Sequence, residues 1–390
     1  LLIQRKRNSQ TTIFSNRVDM GDELIYQIAI TLIKGIGPTL AKNLIAYVGS
    51  VEGVFREKRK NLEKIPGIGE VLSFEITSSD VKKRAEKEVA FITKNKITPL
   101  FFTDKTYPYR LKECPDSPVI LYYKGDRNLN NGKYIGIVGT RKATEYGKEI
   151  CRKIITDFSV KLPDAVIVSG LAYGIDICSH KASLESGLPT IGVLGHGLDR
   201  IYPFAHRSVA AKMVQNGGLI TEYMSETNPD KQNFVQRNRI VAGMCDALLV
   251  IESGVKGGAL ITSALANDYN RDVFAVPGRI GDELSTGCNR LIRDNKASLI
   301  ESADDVIRFM NWETTLTHRT KMEEPTLFVD VSEEEQEIIA CLRQNKEGIN
   351  VNELTVVLQK PFSKLSSLLL EMEFKGLVKC FPGGMYHIVK

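Results

Sequence analysis

The chain has 390 residues, of which 43% are hydrophobic and 25% charged, and its formal net charge is +5. This is an ordinary composition for a soluble protein, and the length suggests two to four domains. The mild basic excess is compatible with nucleic-acid binding but does not establish it. No apolar run is long enough for a membrane span, so we expect no membrane partner and a cytoplasmic location.

Cysteine and histidine usage argues against metal and disulfide chemistry. The 7 cysteines contain no C-x-x-C pair and are odd in number, which predicts reduced packing thiols, and the 5 histidines lack ligand spacing. We therefore expect no structural metal. Residues 1–21 are polar and basic, and the first methionine is Met20. We expect this segment to be a disordered or artificially added tail, with a basic DNA-contacting arm as the alternative.

Residues 22–97 are helical in pattern and contain two similar phrases. Leu32–Pro38 and Leu62–Gly69 each place an apolar helix end before a Gly-Ile-Gly turn and a second helix. This pattern predicts tandem helix-hairpin-helix motifs in a SAM-like domain. Turn N–H groups of this kind can contact a DNA phosphate without reading sequence. The alternative is a degenerate pair that only packs helices, and both interpretations stay open.

Residues 98–132 join this block to the next one and are interrupted by prolines at 99, 108, 115 and 118. Val119–Tyr123 predicts a strand that extends the main sheet at an edge. We assign the joining segment to the domain that follows it. The predicted Rossmann-like domain therefore spans residues 98–312.

The most informative part of the sequence is a series of short apolar, β-branched runs that each end near glycine. They lie at residues 134–139, 165–170, 190–195, 247–254 and 273–278. Helices are predicted between them at Glu145–Ser159, Asp176–Glu185, Ser208–Asn216 and Ala259–Asn270. Together these elements predict a doubly wound, mostly parallel α/β sheet of the extended Rossmann-like class. Ligands bind at the carboxyl ends of such strands, where glycines let backbone N–H groups approach an anion.

The C-terminal part follows a charged linker at 313–331. Residues 332–390 show helices at Glu333–Gln344, Val351–Gln359 and Pro361–Lys375, then strands at 376–379 and 385–388 across a turn at 382–384. This order predicts a winged-helix domain. Its presumed recognition helix carries Lys364 and Lys375 beside two acids, so DNA reading and protein contact both stay open.

Two segments after strands supply candidate anion ligands. Arg141 follows the first strand at a helix start, where a guanidinium can bind phosphate bidentately. Ser169 and Gly170 end the second strand. Asp176 opens the next helix, where we expect it to be an N-cap because a carboxylate would repel phosphate.

Two further segments add cations and an aromatic ring. In residues 231–239, basic and amide side chains surround Phe234, a combination typical of single-stranded nucleic-acid binding. The alternative is a solvated basic loop with Phe234 in the core. Lys256, Gly257 and Gly258 form another glycine-rich turn ahead of a helix, with the lysine available to an anion.

The sequence contains no clear pattern for a catalytic site. Residues 139–149 have the wrong spacing for a Walker loop, with Glu149 where Ser or Thr would bind Mg²⁺, and 136–139 is not G-x-G-x-x-G. Ser169 has no informative partner, and Cys288 is better explained as a buried thiol. His196 is expected to pack or hydrogen-bond. We predict no catalytic residue, cofactor or metal.

Several motifs occur together in the order and form of one family. They are residues 139–141, 169–176, 197–203, 233–240, 257–262 and 271–278. Over Lys133 to about Ala303 the chain closely resembles the DNA-processing protein A family, also called DprA or Smf. The resemblance implies an extended Rossmann-like domain that binds single-stranded DNA, dimerises and recruits the RecA recombinase during natural transformation.

The resemblance also implies a set of site residues. The matching DNA-pocket positions are Arg141, Ser169, Gly170, Lys231, Phe234, Arg237 and Asn238. Arg239 is either a contact or a structural partner. The sequence departs from the family at His196, at Gly257-Gly258 where Ser-Gly is frequent, and in the acidic segment 224–230, which would weaken DNA affinity.

The sequence thus predicts a non-enzymatic, sequence-independent single-stranded DNA-binding protein that protects incoming DNA and loads RecA, acting as a homodimer. One rival is a nucleotide phosphoribohydrolase-like enzyme or nucleotide sensor that uses the glycine-rich loops, although residues 256–262 lack its Pro, third Gly and Glu. Another is an adaptor whose working surface is the winged helix.

Overall fold

The structure is a computed structural model that describes residues 22–313, 332–345, 348–381 and 384–388. The chain divides into two compact units, Leu1–Leu316 and Thr317–Lys390. The predicted tail at 1–21 and nearly all of the predicted linker at 313–331 lie outside the described residues. Within the described ranges, no helix combines the length and apolarity needed to cross a bilayer.

The first unit begins with a helical domain whose apolar side chains share one core. Its helices are α1 (22–29, continued by a 3-10 turn at Ile30–Leu32), α2 (Pro38–Val48), α3 (Val51–Arg56), α4 (Arg59–Leu62), α5 (Glu70–Ser78) and α6 (Lys82–Asn95).

The two predicted hairpins are present and pack against each other. Gly35 and Gly67 have φ angles of +84° and +85°, a region that glycine adopts without strain. A Cβ on Gly35 would lie 2.8 Å from a methyl carbon of Leu72, and one on Gly67 would lie 2.9 Å from a methyl carbon of Leu40. Each turn therefore lies against a leucine of the other motif. DNA contact by these turns stays a prediction.

The rest of the first unit is built on a nine-stranded sheet in the order β1-β2-β6-β5-β4-β3-β7-β8-β9. The strands are β1 (Thr98–Phe101), β2 (Ile120–Lys124), β3 (Lys133–Val138), β4 (Ala165–Ser169), β5 (Thr190–Val193), β6 (Gly217–Thr221), β7 (Ala247–Val250), β8 (Asp272–Ala275) and β9 (Ser298–Leu299).

The sheet is mostly parallel, as predicted. The seven strands from β6 to β9 in this order pair in parallel, while β2 pairs antiparallel with β6 and β1 antiparallel with β2. The strand predicted at Val119–Tyr123 is thus β2, but it lies second from the edge. The edge strand β1 is missed because Pro99 argues against an ordinary strand, whereas an edge position tolerates proline.

Helices cover both faces of the sheet and bury its apolar side chains in two clusters. They are α7 (Tyr109–Lys112), α8 (Glu145–Lys161), α9 (Ile175–Glu185), α10 (Arg207–Gln215), α11 (Lys231–Met244), α12 (Gly258–Asp268), α13 (Thr286–Arg293) and α14 (Ala303–Phe309). The predicted helices agree with these bounds to within two residues. Helices α7, α11, α13 and α14 have no predicted counterpart, and residues 231–239, which the sequence indicates as a nucleic-acid segment or a basic loop, lie in α11.

The direction of chain winding reverses at β3. From this strand the chain proceeds through β4, β5 and β6 on one side, and β7, β8 and β9 lie on the other. Connections that leave neighbouring strands in opposite directions open a crevice at their carboxyl ends. Here the loops after β3, β4 and β7 border that crevice, which places the candidate site.

The second unit contains three helices and a three-stranded antiparallel sheet in the order β10-β12-β11. Its elements are α15 (Glu333–Gln344), β10 (Ile349–Asn350), α16 (Val351–Val357), α17 (Phe362–Phe374), β11 (Val378–Phe381) and β12 (Met385–Ile388). The order matches the predicted helices and hairpin, and the short β10 was not predicted. Part of the turn, residues 382–383, lies outside the described residues, and the winged-helix assignment stays a prediction.

Candidate nucleic-acid interface

A cavity of about 1240 Å³ lies at the carboxyl ends of β3, β4 and β7. All of the predicted site residues except Ser169 and Arg239 line it. They are Arg141, Gly170, Lys231, Phe234, Arg237, Asn238, Lys256, Gly257 and Gly258. Residues that are up to 117 positions apart in the sequence therefore converge because parallel strands end at one edge of the sheet.

The rim of the cavity carries cations that are available to a ligand. Arg141, Lys231 and Lys256 are exposed, and none of them forms an ion pair within the part of the chain that the structure describes. Lys231 is the first residue of α11, and Lys256 lies just before Gly257, the N-cap of α12. Helix N-termini add partial positive charge to that of the side chains. This rim is suited to a phosphate backbone.

An aromatic ring stands among these cations. Phe234 lines the cavity from the first turn of α11, and its ring centroid is 5.6 Å from that of Tyr202. The guanidinium carbon of Arg141 lies 6.0 Å from the Phe234 centroid. Phe234 is only partly buried, so the alternative that places it in the core is wrong. The ring can stack on a base while its neighbour binds a phosphate.

Arg237 forms the floor of the cavity rather than its rim. It is 4% exposed, and its Nη1 donates to the carbonyl oxygens of Gly170, at 2.5 Å, and Val193. Burial lowers the pKa of Arg237, while the neighbouring Asp176 carboxylate raises it. The guanidinium thus ties α11 to the ends of β4 and β5. Carbonyl groups at the ends of strands lack a hydrogen-bond donor from a neighbouring strand, and the arginine supplies that donor.

Gly170 permits this close approach. A Cβ at this position would lie 2.4 Å from Nη1 of Arg237, which is closer than real Cβ contacts come. The glycine after β4 therefore serves the floor arginine, and its role in the site is to fix Arg237 as much as to expose backbone to a ligand.

Asp176 is not the predicted N-cap. Gly174 occupies that position of α9, and the Asp176 carboxylate accepts hydrogen bonds from the N–H groups of Gly170, at 3.2 Å, and Ala172, at 3.4 Å. Burial raises its pKa, and Arg237 lowers it. The carboxylate holds the loop after β4 from within and offsets the charge of the floor arginine.

The two predicted residues outside the cavity lining have structural partners. Ser169 is fully buried, and its hydroxyl donates to the Ile137 carbonyl oxygen at 2.6 Å. Arg239 forms an ion pair with Glu222, both side chains being about 15% exposed or less. Of the two roles open to Arg239, the structure supports that of a structural partner. Neither side chain lines the cavity.

The catalytic candidates also lie outside the lining. His196 is buried, with Nδ1 donating to the Gly197 carbonyl at 2.8 Å and Nε2 accepting from the Tyr202 N–H at 3.3 Å. Burial raises the pKa of the Cys288 thiol to about 12. Among the described residues, no cluster of His, Cys, Asp or Glu could hold a metal ion.

Two buried carboxylates that were not predicted from the sequence fix the segments that lead into α8 and α11. Glu252 accepts from the N–H and hydroxyl of Thr144, at 2.9 and 2.6 Å, and so fixes the start of α8 behind Arg141. Glu88 of α6 accepts from the N–H and hydroxyl of Ser225, at 2.9 and 2.5 Å. An acid two residues after a buried strand, as Glu252 is after β7, is a usable sequence signal. Glu88 offers none, because its partner lies 137 residues away.

The acidic segment 224–230 lies against the helical domain. Glu226 pairs with Lys87 of α6 at 2.9 Å, and Arg84 donates to the Ser225 carbonyl oxygen at 2.5 Å. Lys87 offsets the negative charge of Glu226, so we expect the segment to weaken DNA affinity less than its sequence suggests. The segment instead anchors the approach to α11, which begins at Lys231.

Two family models match the chain. The family described as DNA recombination-mediator protein A matches residues 98–311, and the SAM-like helix-hairpin-helix tandem matches residues 28–72. Protein Smf of Synechocystis sp. is 30% identical over 404 residues, covering 93% of this chain and 98% of that protein. DNA processing protein DprA of Streptococcus pneumoniae is 41% identical over 204 residues, covering 52% of this chain and 71% of that protein.

Solved structures give the same result. The crystal structure of DprA from Streptococcus pneumoniae superposes with a TM-score of 0.64 at 33% identity, covering 73% of this chain and 97% of that one. DNA processing protein A from Helicobacter pylori, whose structure is described as showing a single-stranded DNA binding mode, has a TM-score of 0.50 at 29% identity. It covers 55% of this chain and 96% of that one.

Proposed function

Because the chain belongs to the DNA recombination-mediator protein A family, we propose that it binds single-stranded DNA without sequence preference and acts in DNA processing. The observation that carries the proposal is the convergence of unpaired cations and a partly exposed phenyl ring on one cavity. The single-stranded DNA binding described for the Helicobacter pylori relative supports it.

In the proposed mode of binding, different lining residues contact the phosphates, stack on a base and hold the floor of the cavity. Arg141, Lys231 and Lys256 contact phosphates, and backbone N–H groups at the start of α12 add donors. Phe234 stacks on a base, which every base permits because each has a π face. Arg237 and Asp176 hold the floor in place. Binding should therefore tolerate any sequence and weaken steeply with salt.

The test is fluorescence-anisotropy titration of mixed-sequence single strands and duplexes across a salt series. The wild-type protein should prefer single strands. Arg141→Ala with Lys231→Ala should weaken binding to all sequences alike and lower the salt slope by about 1.4, since each single-strand phosphate contact contributes about 0.7. The matched control is Arg152→Ala with Lys153→Ala, two exposed cations on α8 outside the cavity.

Unchanged binding in the first pair would remove this pocket from the proposal. An absence of DNA binding by the wild-type protein at low salt would reject the whole function. It would favour a small phosphorylated ligand at the glycine-rich rim, as in an enzyme or nucleotide sensor.

We further propose that the protein is cytoplasmic, acts as a homodimer, protects incoming DNA and recruits the RecA recombinase in natural transformation. The family resemblance supports these roles, and no residue is assigned to either protein contact. The test is the rate at which RecA filaments form on single strands covered by single-strand-binding protein. Addition of this protein should raise the rate, and no change would reject the recruiting role.

A further inference from the structure

A group of exposed aromatic side chains adjoins the cavity without lining it. Tyr202 is 49% exposed, Phe204 is 73% exposed and Tyr173 is 51% exposed. Rings of this size are normally buried, so several exposed together mark a binding surface. The Tyr202 ring lies 5.6 Å from that of Phe234, which makes this surface continuous with the cavity.

Buried neighbours hold two of these residues, Tyr202 and Tyr173. The Tyr202 N–H donates to buried His196 at 3.3 Å, and Pro203 is buried beside it. Tyr173 makes an edge contact with His206, with centroids 4.9 Å apart, and His206 is anchored through its Nδ1 to the Leu171 carbonyl at 2.8 Å. Ordering these two residues on ligand binding would therefore cost little conformational entropy.

The charge along this surface is suited to a phosphate backbone. The Arg207 guanidinium carbon lies 5.8 Å from the Phe204 centroid, and the Arg207 side chain is exposed. Arg141 lies in the same relation to Phe234, at 6.0 Å. Phe234 and Phe204 thus each have an exposed arginine beside the ring, the combination that binds single strands.

We propose that Tyr202 and Phe204 form a second stacking platform for the DNA strand that occupies the cavity. The strand leaves Phe234, lays its next bases on Tyr202 and Phe204, and places a phosphate against Arg207. This inference rests on the proposed function and deepens it, because it assigns an exit path for the same ligand. The platform should accept any base, because stacking requires no hydrogen-bond donor or acceptor on the edge of the base.

The test is a length series of oligothymidylates from three to fifteen nucleotides. The wild-type affinity should rise beyond the length that fills the cavity. Phe204→Ala should leave the affinity for the shortest binding oligomer unchanged and weaken longer ones about five- to hundredfold, the range for loss of one base–aromatic stack. Arg207→Gln should reduce the salt slope for the longer oligomers only.

The matched control is Phe309→Ala, which removes a ring of 58% exposure on α14. Tyr202→Ala is less suitable as the first variant because Tyr202 touches Phe234. Thermal melting of each variant separates loss of binding from loss of folding. A second measurement uses Phe204→Trp, whose added indole should be quenched by long oligomers and not by the shortest one.

The outcomes distinguish the two proposals. If the wild-type protein binds no oligomer, the proposed function fails. If it binds short oligomers but gains nothing with length, or if Phe204→Ala keeps the gain, the platform is rejected while the cavity stands. Absence of quenching in Phe204→Trp would likewise reject the platform and leave the exposed rings to a protein contact.

Discussion

The cavity rim and the C-terminal unit both carry cations on or beside helices. Among the described residues the rim cations form no ion pair, whereas the lysines beside and on α17 do. In the C-terminal unit each of the lysines beside or on α17 is bound to a glutamate of α15. The pairs are Lys360–Glu337 at 2.6 Å, Lys364–Glu334 at 2.5 Å and Lys375–Glu335 at 2.7 Å. A lysine in an ion pair must give it up before it can neutralise a phosphate. We therefore expect the paired lysines at α17 to contribute less to nucleic-acid binding than the rim cations, for which the described residues supply no ion pair.

The C-terminal unit differs in its apolar surface as well. Phe362 is 54% exposed, Leu370 is 53% exposed and Phe374 is 85% exposed, all on α17. Exposed apolar side chains beside lysines that are already in ion pairs are more typical of a protein contact than of a DNA contact. This observation favours the protein-contact alternative for the helix that a winged-helix domain would use for recognition.

The largest expected effect comes from removing the buried charge under the rim. Arg237→Met leaves the Gly170 and Val193 carbonyls without their donor and Asp176 without its counter-charge. Breaking a buried pair typically costs about 3–5 kcal/mol of unfolding free energy. Urea unfolding should show this loss, and single-strand binding should fall with it. Arg152→Met, at an exposed position of α8, should change neither quantity.

Next in size is the contact that anchors the segment before α11. Glu88→Ala removes the acceptor of the Ser225 N–H and hydroxyl and the partner of Arg84. A hydrogen bond to a charged group contributes about 1.5–3 kcal/mol, so we expect the free energy of unfolding to fall by an amount of that order. Single-strand affinity should weaken too, because the segment leads into Lys231. The control is Glu86→Ala, an exposed acid on the same helix.

If Glu88→Ala lowers stability but leaves DNA affinity at the wild-type value, the helical domain does not position the rim. That result would sharpen the comparison by confining the binding apparatus to the sheet and its loops.

Acid should destabilise the first unit before the second. Burial lowers the pKa of His180 to about 3, whereas an unfolded histidine titrates near 6.5. Between these values the unfolded chain binds the extra proton, so unfolding free energy falls as pH falls, by about 2 kcal/mol from pH 6.5 to 5. His180→Asn should flatten this dependence in urea unfolding at several pH values, and an unchanged slope would contradict the assignment.

The second unit should resist acid over the same interval. The hydrogen bond from Lys375 lowers the pKa of Glu335, so the stability it contributes is present above the unfolded pKa of about 4.3. That contribution is lost only as pH falls below this value and through the lowered pKa.

The smallest expected effect tests the comparison directly. Lys360→Gln with Lys364→Gln should leave single-strand affinity within twofold of wild type, because both lysines already have carboxylate partners. Ion pairs that are at least partly exposed to solvent, such as these, contribute about 1 kcal/mol or less each, so stability should change little. A loss of affinity as large as that of Arg141→Ala with Lys231→Ala would show that the C-terminal unit binds the strand.

Local sequence signals determined most of the architecture. The β-branched runs that end in glycine predicted β3, β4, β5, β7 and β8, because burial on both faces demands continuous apolar residues. The Gly-Ile-Gly turns predicted the hairpins at Gly35 and Gly67, where a left-handed backbone needs glycine. Such signals act within a few residues of the chain and can be recognised there.

The tertiary structure alone decided what each candidate side chain faces. Arg141 and Arg237 are the same residue type and both line the cavity, yet one is exposed at the rim and the other is buried against strand-end carbonyls. Arg239, two residues after Arg237, pairs with Glu222 instead. The difference depends on which carbonyls and carboxylates distant strands bring to each position. The environment of each arginine is therefore fixed by tertiary packing, because an unpaired buried charge costs too much free energy to persist. The residues next to each arginine in the sequence do not specify it.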